Sequence, residues 1–150
     1  MNVLVDTCVW SLAFRRRPET SSPVVDELAE LIREFRAKII GPIRQELLSG
    51  IRKPADFQKL RRRLRGFPDV ELRTEDYERA AAFFTLCRKQ GIQGSNTDFL
   101  ICAVSSRLDM AILTIDADFQ RYARRLPIRL HTPGKDRAER ASDGERVDGG

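Results

Sequence analysis

Histidine is nearly absent from this chain of 150 residues. His131 stands alone, and the three cysteines, Cys8, Cys87 and Cys102, show no paired spacing. Imidazole acid–base chemistry and thiolate zinc sites are therefore poorly supplied. Dispersed cysteines, odd in number, read as reduced thiols in a cytoplasm. No apolar run is long enough to cross a bilayer and no charged-then-apolar leader opens the chain. Nothing in the pattern points to anchoring or export, and the expected location is cytoplasmic.

What is present is a basic chain with a sizeable core. Hydrophobic residues make up 41% and the formal net charge is +5, which suits one domain and a polyanionic partner. From Pro133 onward acids outnumber bases by one and apolar residues almost vanish. That composition cannot offset its own ordering entropy, so residues 1–133 are expected to fold and 134–150 to form a disordered charged tail.

Within 1–133, strand and helix patterns alternate. Residues 2–5, 38–41 and 111–114 read as short buried strands; 70–72 reads as a brief strand or extended connection, and 128–130 as an edge strand. Pro23, Pro42 and Pro54 open helices, and Thr74 caps another. Apolar stripes run through Val25, Leu28, Leu31, Ile32 and Phe35, through Phe57, Leu60 and Leu64, and through Tyr77, Ala80, Ala81, Phe84 and Cys87. The segment 96–108 is apolar nearly all round at its centre, and 116–125 forms the last full helix. This alternation predicts an α/β fold: a short, mostly parallel sheet of about four or five strands flanked by helices.

Four acids stand where these strands end. Asp6 directly follows 2–5, Glu46 lies one turn into the helix after the second strand, Asp98 falls in the first turn of 96–108, and Asp116 follows 111–114. In open parallel sheets, functional groups gather beyond the carboxyl ends of the strands. Carboxylates gathered there repel one another, and hard divalent cations such as Mg²⁺ or Mn²⁺ relieve the repulsion by oxygen ligation. A plainer reading stays open. Asp6 and Asp116 fit helix N-caps, Asp98 fits a first turn, and Glu46 fits a solvated surface.

Val3-Leu4-Val5-Asp6-Thr7, the stretch 42–50 that bears Glu46, Asp98-Phe99-Leu100-Ile101-Cys102-Ala103 and Leu113-Thr114-Ile115-Asp116-Ala117-Asp118-Phe119 follow one another along nearly the whole body. Together they resemble the acidic motifs of the PIN-domain ribonucleases, and within them the VapC toxins of type II toxin–antitoxin pairs. The resemblance implies a three-layer PIN-like fold and metal-dependent endoribonuclease activity. Asp6, Glu46, Asp98 and Asp116 become the catalytic acids, with Asp6, Asp98 and Asp116 as ligands of one or two Mg²⁺ or Mn²⁺ ions that activate water. Thr114 is then the hydroxyl that steadies the cluster, Asp118 an outer carboxylate, and Thr7 and Asn96 supporting groups. Implied partners are RNA and a cognate VapB-like antitoxin, in a homodimer or a toxin–antitoxin hetero-oligomer. One departure is Cys8, where the family usually carries a small polar residue.

On that reading the basic residues position RNA: Arg15, Arg16 and Arg17 in one run, and Arg52, Lys53, Lys59, Arg61, Arg62, Arg63 and Arg65 in another. Basic runs are also common as solvated helix faces. Trp10 and the phenylalanines read as core, and His131 as structural with no evident partner. The competing class is a non-catalytic RNA-binding or partner-binding module in which the acids only cap helices.

Overall fold

A computed structural model of the chain describes residues 1–15 and 22–145. Three parallel strands, β1 (Val3–Val5), β2 (Ala37–Lys38) and β3 (Ala111–Leu113), lie in the order β2-β1-β3. Val3 is flanked by Ala37 on one side and Ala111 on the other. Every residue of β1 and β3 is buried, as strands covered on both faces require.

The sheet is narrower than the four or five strands expected. Residues 70–72 and 128–130 do lie beside it, but each region contributes only an isolated parallel bridge, Ile39 with Asp69 and Ile112 with Leu130. Pro68 and Pro127 adjoin these segments, and proline cannot donate to a ladder. The second strand occupies 37–38 rather than 38–41, because α3 starts at Gly41.

The described helices are α1 (Thr7–Arg15), α2 (Pro23–Arg33), α3 (Gly41–Ser49), α4 (Pro54–Leu64), α5 (Thr74–Lys89), α6 (Asn96–Leu108), α7 (Asp118–Ala123) and α8 (Lys135–Glu145). Prolines in the first turn open α2, α3 and α4, where a missing N–H costs no helix bond. Helix α1, which the sequence pattern did not announce, starts one residue after β1 ends. Val9, Trp10, Ala13 and Phe14 give it a buried side. Trp10 is fully buried; its indole N–H donates to the Val5 carbonyl at 3.1 Å, and its ring stacks on Phe14. Helix α5 packs along α6, whose residues Phe99 to Ser105 are all buried.

Three local readings are corrected. Phe35, expected on the inward stripe of α2, is 87% exposed at φ 56°. There the chain reverses, with Arg36 N–H donating to the Leu31 carbonyl, in a turn whose left-handed residue is usually glycine. Tyr77 is 53% exposed, because α5 instead turns Asp76 inward alongside Ala80 and Cys87. The Asp76 carboxylate accepts two bonds from Arg107, at 2.7 and 2.8 Å, and one from the Arg73 N–H at 2.9 Å. Arg73 is thus the N-cap of α5, and Thr74 is its first helical residue.

Residues 135–145, assigned by composition to a disordered tail, form helix α8. Its attachment is ionic. Arg137 meets Glu27, at 2.8 and 3.0 Å, and Glu34; Arg140 meets Glu34 at 3.1 Å. His131 also has a partner, its Nε2 lying 2.8 Å from buried Glu27.

Removing one member of a buried ion pair leaves the other uncompensated. Asp76→Ala is expected to lower unfolding free energy by about 3 kcal/mol, whereas Tyr77→Ser should change it by less than about 0.5 kcal/mol. Urea denaturation of the two variants checks the contrast.

Candidate active site

The site is built outward from Asp6, which β1 delivers to its carboxyl end. The Asp6 N–H still bonds to the Leu113 carbonyl of β3, at 2.9 Å, so the residue is fixed by the sheet although its side chain lies beyond it. Asp6 is 5% exposed. Its Oδ1 accepts the Thr7 N–H at 2.8 Å, while its Oδ2 accepts the Thr114 hydroxyl at 2.8 Å and the Cys8 thiol at 3.2 Å.

Two threonines link this carboxylate to its neighbours. The Thr7 hydroxyl donates to Glu46 Oε2 at 2.7 Å, which brings the exposed Glu46 of α3 to the start of α1. Thr114 Oγ1 accepts the Asp116 N–H at 3.0 Å, and Asp116 Oδ1 accepts the Asp118 N–H at 2.9 Å as α7 begins. Asp98 enters from the first turn of α6. There Ser95 Oγ accepts the Asp98 N–H at 3.1 Å, and Asp98 Oδ2 accepts the Ser95 N–H at 3.4 Å. The same oxygen accepts the Tyr122 hydroxyl at 2.9 Å.

The capping reading holds for Asp98, which lies in the first turn of α6, whereas the N-cap of α7 is Ala117 rather than Asp116. Asp98 shares a capping box with Ser95, and Asp116 holds the first N–H of α7, each through one oxygen. Among the described residues, Glu46 Oε1, Asp98 Oδ1 and Asp116 Oδ2 have no hydrogen-bond partner, and none of the four acids has an ion pair.

The electrostatics follow from burial and proximity. Burial pushes the Asp6 carboxyl above the ordinary carboxylate range; its three hydrogen bonds oppose the shift and the negative charge of Asp116 adds to it. Burial likewise raises Asp98, against its bonds to Tyr122 and Ser95, with a further push from Asp6. Asp6 thus feels the charge of Asp116, and Asp98 that of Asp6. Burial and the Asp6 charge also raise Cys8, which keeps it a thiol donor rather than a nucleophile.

The fit to a hard cation lies in the chemistry of the donors. The acids are oxygen ligands, two are destabilised as anions, and three keep an unpaired oxygen. Among the described residues, however, no three His, Cys, Asp or Glu side chains close up into a metal cage by themselves.

The supporting residues divide. Thr7 and Thr114 are integral to the cluster; Asp118 contributes its backbone N–H, while its carboxylate lies 4.0 Å from Arg121. The Asn96 side chain is exposed and bonds to nothing among the described residues. Of the basic residues, Arg15, Arg52, Lys53, Lys59, Arg61, Arg62, Arg63 and Arg65 are exposed on α1, α4 and the flanks of α4. Arg63 lies over the Phe14 ring at 6.0 Å. Arg16 and Arg17 fall outside the described residues. Tyr122 has no counterpart in the sequence reading, since a tyrosine in an apolar stripe with Phe119 reads simply as core.

The chain belongs to the PIN domain family, whose model matches residues 3–125. Solved structures share the fold. FitAcB from Neisseria gonorrhoeae aligns at TM-score 0.69 and 20% identity, over 89% of this chain and 99% of that one. VapBC2 from Rickettsia felis, bound to a DNA fragment from its promoter, aligns at 0.67 and 17%, over 87% and 98%. A toxin–antitoxin complex from Klebsiella pneumoniae aligns at 0.58 and 20%, over 79% and 90%. No curated protein matches the chain.

A buried carboxyl with a raised pKa destabilises the fold once ionised, so its cost is absent below the ordinary carboxylate pKa and complete above the raised one. Asp6→Asn is therefore expected to raise the thermal midpoint at pH 7 in chelator. The gain should shrink as pH falls through the acid range, where the native carboxyl is also neutral. The Thr114 hydroxyl can turn to accept from the new amide. Calorimetry across pH checks this outcome.

Proposed function

We propose that the chain is a metal-dependent endoribonuclease acting as the toxin of a type II toxin–antitoxin pair. The observation that carries the reading is the set of electrostatically coupled acids at the carboxyl ends of parallel strands, with unpaired oxygens and no cationic side chain among the described residues. Membership of the PIN family and the complexes found among its structural neighbours support it.

Asp6, Asp98 and Asp116 would hold Mg²⁺ or Mn²⁺, with Glu46 as the fourth acid. When bound, such an ion lowers the pKa of water and offsets charge on the scissile phosphate. The residues of the chain do the rest. Thr7, Thr114 and Ser95 hold the carboxylates in place, and burial of Asp6 excludes competing solvent from its oxygens. The exposed bases of α4 and its flanks, with Arg15, attract the RNA backbone.

A cavity of about 260 Å³ between α1, α3 and α4 favours a protein partner as well. Phe14, Leu47, Ile51 and Leu60 form its apolar wall, and Arg15, Lys59 and Arg63 outnumber the one acid, Asp56, at its rim. An antitoxin segment with apolar and acidic residues matches that lining. No helix among the described residues is long and apolar enough to cross a membrane. The working assembly in this reading is a homodimer or a hetero-oligomer with the antitoxin.

Cleavage of RNA should require Mg²⁺ or Mn²⁺, stop with chelator, and disappear in Asp6→Asn and Asp98→Asn. Metal-independent binding with no turnover would instead favour a non-catalytic RNA-binding module. Replacing both Arg61 and Arg62 with Ala should weaken RNA binding while preserving metal dependence. The slope of log affinity against log salt should become shallower by about 0.7 for each phosphate that the protein no longer neutralises.

A further inference from the structure

We infer that Tyr122 is the positioning residue for Asp98: its buried hydroxyl pins Oδ2 of that carboxylate and leaves Oδ1 to a divalent cation. The inference rests on the metal-dependent reading above. Tyr122 is fully buried on α7, between Phe99 at a centroid distance of 5.1 Å and Phe119 at the same distance. Its ring cannot follow a wandering carboxylate, so the hydroxyl is a fixed point.

A phenol carries one hydrogen, and this one meets two acceptors. Asp98 Oδ2 lies at 2.9 Å and the Gln93 carbonyl at 3.2 Å. The nearer, charged acceptor makes the stronger bond. A phenol keeps its hydrogen at neutral pH, so the donor stays available.

Gly94 completes the arrangement. A Cβ there would overlap the Tyr122 hydroxyl oxygen and stand 2.9 Å from Tyr122 Cζ and 3.0 Å from Phe99 Cε2. The loop before α6 therefore closes over the phenol only because residue 94 has no side chain. Ser95, the next residue, adds its N–H to the same Oδ2 at 3.4 Å. Both protein donors thus engage one oxygen, and the other has no partner among the described residues.

Groups that orient a metal ligand typically change metal affinity 10–100-fold when removed. Binding of Mn²⁺ to the full chain, followed by the decline of the free-ion electron paramagnetic resonance signal, tests the assignment without any turnover. Tyr122→Phe keeps the packed ring, and Gly94→Ala displaces the hydroxyl with the phenol intact. Each is expected to weaken Mn²⁺ binding about tenfold or more. Wild-type affinity in a folded Tyr122→Phe chain overturns the positioning role, even where its melting temperature falls; should that variant not fold, Gly94→Ala decides in the same way. Asp98→Asn separates the two levels. If it loses Mn²⁺ and Tyr122→Phe does not, only the positioning role fails. If wild type and Asp98→Asn bind Mn²⁺ alike, the metal reading fails and this inference with it.

Discussion

The structure is organised around one unfavourable act: placing the Asp6 carboxylate, almost out of reach of water, at the end of the central strand. Desolvation raises the free energy of the anion, and the protein offsets this with neutral donors only. Those donors come from both sides. The Thr7 N–H and the Cys8 thiol arrive from the helix that continues β1, and the Thr114 hydroxyl from the residue that follows β3. The Thr114 bond requires β3 to pair directly with β1, which brings the end of β3 beside Asp6. Where the family usually has a small polar residue, the thiol of Cys8 still donates, though weakly.

In a chain with formal charge +5, the separation of charges carries information. Several cations are committed elsewhere, Arg107 to Asp76, Arg44 to Asp69 and Arg137 to Glu27 and Glu34. Other bases stand in water on α4. Among the described residues none neutralises the four acids at the strand ends, which is an arrangement that stability alone would not select. Asp98 caps α6 through one carboxylate oxygen, and Asp116 holds the Asp118 N–H through one of its own. A cap engages one carboxylate oxygen and fixes the direction of the other, so capping here orients the site.

Much of this was legible because strand ends are written in the chain. A β-branched run followed by an acid placed Asp6, and the first turn of an apolar helix placed Asp98. The sheet was overestimated at residues 70–72 and 128–130, since pattern reports apolar alternation while ladder length depends on the neighbouring prolines. Helix α1 was not given bounds because it begins without a loop, directly after Asp6, although that residue fitted a helix N-cap. Phe35 and Tyr77 were placed inward by periodicity, which cannot see a left-handed reversal or a buried Asp76. Helix α8 escaped notice because composition counts apolar residues, and its attachment to α2 is made of ion pairs. Tyr122 left no signal, as its neighbours differ from it by one oxygen atom.

The pairing of Val3 with Ala111 also governs when the acids at the strand ends can come together. A ribosome releases β1 long before β3, so the first strand must wait for all of the intervening chain before its second edge is covered. Thr114 and Asp116 emerge later still than that pairing partner. A nascent or prematurely terminated chain therefore carries Asp6 without its strongest side-chain donor, and the acids remain scattered along an incomplete polypeptide. Assembly order alone keeps the acids from gathering until the chain has been made past Asp116.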